Sequence, residues 1–265
     1  MRRVSAFACT LLLVVGVTSA RAQDFAAASP AAMAPAALRL LEDGWPSVQA
    51  VSSVATSRTD WWAVPDLSTR ALALQGAWRS WRAALGVSQT GAPDLGWTAV
   101  AWGCGVASAR AGAGLRASVR CDRTTPWRVA RLWTTESALE LGGGAWLCPA
   151  RDVVVRVSAP QLVQRHGAPS SRALSCELHY GQASAIWCAL RAPHGGREGE
   201  RVIGGALAIA PCRVWGELRD APLRAATGVM VGWRGGSCGV RVDEHPALGR
   251  TVRVSLAWPD AGVAP

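Results

Sequence analysis

Thr251-Val252-Arg253-Val254-Ser255-Leu256-Ala257-Trp258 is the stretch on which the reading of this chain turns. Val252, Val254, Leu256 and Trp258 fall on one side, and Thr251, Arg253 and Ser255 on the other. Successive side chains of an extended strand point to opposite faces, so a period of two with one polar side describes a strand that is apolar on one face and wet on the other. The stretch ends on an aromatic residue close to the C-terminus of the sequence.

The same alternation recurs upstream. Cys212, Val214 and Leu218 oppose Arg213, Trp215, Glu217 and Arg219. In 223–234, Leu223, Ala225, Val229, Val231 and Trp233 oppose Arg224, Gly228, Gly232 and Arg234. Leu174, Cys176, Leu178 and Tyr180 oppose Ser175, Glu177 and His179, and Leu115, Ala117, Val119 and Cys121 oppose Arg116, Ser118 and Arg120. Glycine, proline and polar turns separate these units. Segments near 69–78, 127–133 and 183–190 alternate poorly, and the pattern leaves their faces open.

Alternation by itself admits two architectures. A soluble sandwich buries its apolar face, whereas a transmembrane barrel turns that face to lipid and its polar face to the lumen. Three features favour the barrel. Phe, Ile and Tyr are scarce, so a soluble core would lack its large fillers. The chain has 14 tryptophans, and Trp78, Trp81, Trp127, Trp133, Trp233 and Trp258 fall at strand ends, where amphipathic rings form interfacial girdles. Trp258 closes the last strand, as an outer-membrane assembly signal requires. At about 18 to 20 residues per strand and connection, the expected fold is all-β, an antiparallel transmembrane β-barrel of roughly 12 strands, within 10 to 14. An exported soluble β-sandwich with a binding or structural role is the alternative.

The N-terminus sets the destination. Arg2 and Arg3 precede an apolar run from Val4 to Val17, and Ala20-Arg21-Ala22 offers a small-x-small cleavage site. That order describes a secretory signal, and the run is shorter than the roughly 20 residues of a spanning helix. The expected organisation is a signal peptide over 1–22, an Ala/Pro-rich segment over 23–46 whose apolar stretch Ala36 to Leu41 suits either a short helix or a plug-like segment, a barrel over 47–258, and a tail over 259–265. The expected location is the outer membrane of a Gram-negative-type bacterium, with outer-membrane lipid and the barrel-assembly machinery as partners.

The charge excess, 28 basic against 18 acidic residues, is carried entirely by arginine. These arginines are scattered along the chain, which does not fit nucleic-acid binding. Arg116, Arg120, Arg156, Arg213, Arg224, Arg241 and Arg253 share the polar parity of their strands, with Glu177, Glu217 and Asp243, and in a barrel they would line the lumen. The cysteines beyond Cys9 are odd in number and lack C-x-x-C spacing. They read as small apolar residues, with one or two disulfides left open. Gly235-Gly-Ser-Cys-Gly239 matches G-x-S-x-G, but Ser237 opens a strand with no helix after it, so a hairpin is expected in place of a nucleophile elbow. The four histidines have no metal-ligand spacing. No catalytic residue, metal or cofactor is expected, and the chain reads as a non-enzyme.

Two stretches carry a resemblance. Asp243-Glu-His245-Pro246-Ala-Leu248-Gly249, between two strands of which the last ends in an aromatic, resembles the final hairpin of the PorV/PorQ-like outer-membrane barrels, relatives of the fatty-acid transporter FadL. Ala28-Ser-Pro-Ala-Ala-Met-Ala-Pro-Ala-Ala37 is similar to the segment that opens many of those barrels, with Ser29 where they prefer asparagine. The resemblance implies a transport or surface-export role, with secretion-system components as partners in the second case.

Overall fold

The computed structural model describes residues 35–47 and 52–259, apart from positions 63, 65–66, 93–94, 125–135, 166–173, 182–183, 193–198, 210 and 221–222. The proposed signal peptide, the segment similar to the opening of the PorV/PorQ-like barrels up to Ala34, and Trp127 and Trp133 lie outside the described residues.

One short helix, α1 (Ala36–Asp43), is followed by fourteen strands: β1 (Ser53–Asp60), β2 (Ser68–Trp78), β3 (Trp81–Ala92), β4 (Leu95–Ala107), β5 (Ala111–Thr124), β6 (Glu136–Ala150), β7 (Val153–Arg165), β8 (Leu174–Gly181), β9 (Ala185–Ala192), β10 (Glu200–Ile209), β11 (Cys212–Asp220), β12 (Leu223–Trp233), β13 (Gly236–His245) and β14 (Gly249–Trp258). Each strand pairs antiparallel with the next, and β14 returns to β1 with Val54 opposite Trp258 and Thr59 opposite Arg253. The sheet is a closed barrel, so every strand has a hydrogen-bonded neighbour on both sides. Fourteen strands exceed the rough expectation of 12 because many connections take only two or three residues, so each strand uses less chain than the estimate allowed. The weakly alternating segments near 69–78 and 183–190 form β2 and β9. Alanines on the inner face, among them Ala71, Ala73, Ala77, Ala185 and Ala189, blur the contrast between the two sides without changing the parity.

The two rims differ. Strands meet across 79–80, 108–110, 151–152, 182–184, 210–211 and 234–235 at one rim, where β1 also begins and β14 ends. The opposite rim carries longer connections, including 125–135, 166–173 and 193–199. Trp78, Trp81, Trp233 and Trp258, all exposed, sit at the short-turn rim.

Apolar side chains point outward. Leu72, Leu74, Leu85, Val87, Ile186, Leu190, Ile203, Leu207, Val229, Val254 and Leu256 are all exposed on the outer wall. The sandwich alternative required this face to be buried, and the structure turns it out. Cys104, Cys176 and Cys188 are exposed there too, and all seven described cysteines are free thiols, so the disulfides left open by the sequence are not formed.

Eight residues are too few for a helix to persist alone in water, so α1 depends on packing. Pro35 sits at its N-terminal end and Gly44, with φ +73°, at its C-terminal end, donating its N–H to the Leu40 carbonyl at 3.2 Å. Only glycine takes that left-handed cap without strain. Ala37, Leu38, Leu40 and Leu41 are buried against Ala55, Ala73, Ala84 and Ala257, small inward residues of β1, β2, β3 and β14. The helix therefore lies inside the barrel. Among the described residues no helix is long and apolar enough to cross a membrane.

Candidate functional site: a plugged, arginine-rich lumen

Four neighbouring strands receive α1 through glycine. A Cβ on Gly86 would stand 2.5 Å from Leu41 Cδ1, one on Gly103 3.0 Å from Leu40 Cγ, one on Gly114 2.6 Å from the Gly44 carbonyl oxygen, and one on Gly144 2.5 Å from the Asp43 carbonyl oxygen. The inner wall of β3–β6 is thus a trough cut to the helix backbone. Polar contacts fix what packing positions. Arg116 Nε donates to the Leu41 carbonyl at 2.6 Å, Trp45 Nε1 to the Val157 carbonyl at 3.0 Å, Trp146 Nε1 to the Pro46 carbonyl at 3.1 Å, and Arg82 Nε to the Ser47 carbonyl at 3.0 Å. Arg156 lies over the Trp45 ring at 5.4 Å. Residues 36–47 are held along their whole length by inward side chains.

The opposite wall is charged. Arg241 on β13 stands directly opposite Arg253 on β14, an unfavourable pairing for like charges. Glu42 of α1 relieves it, accepting from Arg253 Nη1 at 3.0 Å and Nη2 at 2.6 Å, while Arg241 Nη2 reaches Glu217 at 3.4 Å and Asp243 at 3.2 Å. Arg219 and Arg224 are likewise opposed. Glu217 and Asp243 pair with Arg219, and Glu200 takes Arg224 at 2.5 Å and Arg191 at 3.4 Å. Glu177 pairs with buried His179 at 3.0 Å and lies 3.8 Å from Arg191. Acids alternate with guanidiniums around half the barrel.

Tryptophan fills part of the remaining space. Trp146, Trp187 and Trp215 face inward, each directly across from a glycine: Gly112, Gly204 and Gly228. The rings lie where those glycines' side chains would be. A cavity of about 330 Å³ is left above α1, lined by Leu38, Leu41 and Glu42 of the helix and by Ser88, Trp97, Arg116, Ser118, Arg120 and Glu140 of the barrel wall. Arg120 lies over Trp97 at 5.1 Å, and Arg116 is 3.7 Å from Glu140.

Arg116, Arg120, Arg156, Glu177, Arg213, Glu217, Arg224, Arg241 and Arg253 all stand on the inner wall. Arg116 and Arg120 line the cavity on β5, and Arg213, Glu217, Arg224, Arg241 and Arg253 lie across the lumen on β11–β14. The lumen residues named from the sequence leave out Arg191, Glu200 and Arg219, which complete the charge network, and the inward Trp146, Trp187 and Trp215. Trp215 and Arg219 share the polar parity of Arg213 and Glu217, a signal that could have nominated them as lumen residues. The partnership of Glu42 with Arg253, residues 211 apart in sequence, has no local signal. Ser237 lies in extended β13, buried and facing inward. His245 Nδ1 accepts the N–H groups of Ala247 and Leu248, both at 3.2 Å, and so shapes the β13–β14 turn. Among the described residues no His, Cys, Asp and Glu cluster could hold a metal. His166 and His194 lie outside the described residues.

No family model matches the chain, and no curated protein does. Among solved structures, the chain is similar to the outer membrane protein Omp33 of Acinetobacter baumannii, at 10% identity and TM-score 0.49 over 80% of this chain and 100% of that one. It is also similar to a mutant porin of Rh. blastica, at 8% identity and TM-score 0.43 over 78% of this chain and 98% of that one.

Proposed function

We propose that the chain is an outer-membrane barrel that admits small anionic solutes to an arginine-lined vestibule and holds its lumen closed with α1. The observation that carries this reading is the pairing of an outward apolar wall with an inward charged one in a closed barrel, the arrangement that satisfies backbone groups in lipid while keeping a polar interior. The short-turn rim with its tryptophans faces the periplasm and the long-loop rim the exterior, as short and long connections divide in outer-membrane barrels. The cavity floor is α1 itself, so passage requires the helix to give way. Inward arginines outnumber inward acids among the described residues, which favours anions over cations.

Planar-bilayer recording tests this. The wild-type barrel is expected to insert and to be mostly closed. A variant with a weakened plug, Glu42→Ala with Leu41→Ala, is expected to conduct, with a reversal potential in a salt gradient set by the anion. Cation selectivity in that variant would contradict the assignment. A surface-export component is the second reading, favoured by the Asp243–Gly249 turn and the filled lumen. It predicts that no plug variant conducts.

A further inference from the structure

We infer that the outer wall carries a binding site for the anionic phosphate headgroup of a membrane lipid, centred on Arg58 and Arg70. The inference rests on the membrane reading above. Arg58 of β1 and Arg70 of β2 are exposed on the outward face and stand directly opposite each other in the register. Like charges so placed repel. Asp60 accepts from Arg58 Nε at 3.0 Å, and no acid pairs with Arg70 among the described residues. Next to Arg70 is the outward Gln89 of β3, and next to Gln89 is Thr98 of β4. Two guanidiniums, an amide and a hydroxyl thus form a polar streak across four strands. Below it the outward residues of β2–β4 are largely apolar, among them Leu72, Leu74, Leu85, Val87, Val100 and Trp102.

Position along the wall matters as much as charge. The streak lies near the long-loop ends of β1–β4, with Trp78 and Trp81 marking the other end of β2 and β3. Arginine on the lipid face is costly at mid-membrane and tolerable near the interface, where lipid headgroups begin. A phosphate group there would complete the charge set by accepting bidentate hydrogen bonds from Arg70 and neutralising its repulsion with Arg58. Within the strands, two other outward arginines have acids beside them: Arg201 has Asp220 at 3.4 Å, and Arg250 has Glu244 at 2.8 Å. That contrast singles out Arg70, which has Arg58 opposite it and no acid among the described residues, and supplies a control.

The test uses the full barrel in phosphatidylcholine nanodiscs doped with lipid A, with lipids retained after release counted by native mass spectrometry. Wild type is expected to keep lipid A, Arg58→Gln with Arg70→Gln to keep it about tenfold less, and Arg201→Gln to match wild type. Heat-modifiable gel mobility checks that each variant is folded. Equal retention by the double variant overturns the inference while leaving the membrane reading intact. Displacement of lipid A by millimolar inorganic phosphate overturns it in favour of a free-anion site. Failure of the wild type to enter nanodiscs overturns both.

Discussion

Val254 and Arg253 are neighbours in sequence and face opposite surroundings. Val254 is exposed on the outer wall, and Arg253 is gripped from inside by Glu42. Arginine on the lipid side of a barrel costs about 2–4 kcal/mol at the midplane. Val254→Arg is therefore expected to reduce the folded, heat-modifiable fraction much more than Arg253→Ala, which trades one inward ion pair for water. Gly144→Val makes a second residue-level test. Its Cβ would meet the Asp43 carbonyl and the Trp45 ring at 2.5 Å, and overpacking of that kind costs about 1–3 kcal/mol. The barrel should persist while α1 loosens, so thiol labelling of a cysteine placed at Leu40, in a cysteine-free background, should rise from near zero in the parent. Unchanged labelling would show that α1 does not depend on the trough. At this scale the sequence is most legible where a strand alternates cleanly, as at 251–258. It is least legible where a residue's meaning depends on a partner across the lumen, as Gly144 does on Asp43.

At the scale of elements, α1 and the strand hairpins are stabilised independently. The hairpins close through backbone pairing with neighbours, whereas α1 has its own few hydrogen bonds, the wall contacts of Arg116 with Leu41 and Arg253 with Glu42, and the burial of Leu38, Leu40 and Leu41, each worth about 1.5–3 kcal/mol. Leu40→Asp should accordingly release the plug without unfolding the barrel, giving unchanged heat-modifiable mobility and increased bilayer conductance. Loss of the folded band would mean instead that the barrel needs its plug to close. The existence of a short helix near 36–41 can be read from composition, because alanine and leucine follow Pro35 and Gly44 ends the run. Its lodging in a glycine trough cannot, because Gly86, Gly103, Gly114 and Gly144 line up only once the strand register is known. The same holds for the Trp–Gly pairs of β9–β10 and β11–β12. Trp187 falls in a segment too weakly patterned to assign a face, and Trp215 shares its polar face with Arg213 and Glu217.

For the whole molecule, the decisive question is which way the apolar face turns. Composition points outward, through the shortage of large core residues and the tryptophans at strand ends, and Trp78, Trp81, Trp233 and Trp258 gather at one rim of the barrel. Strand number is less legible, since turns of two residues cannot be separated from strand by alternation alone. The free thiols Cys104, Cys176 and Cys188 on the outer wall extend the argument. In lipid vesicles they should react with a membrane-soluble maleimide and resist a charged one.

Spin labels at positions 252, 254 and 256, introduced singly in a background freed of native cysteines, test the central claim most directly, because they read the environment of the outer face of β14. The barrel account predicts that power saturation shows strong collision with lipid-soluble oxygen and weak collision with a water-soluble nickel complex at all three. Shielding from both reagents in a folded protein would place these residues in a packed core and contradict the account.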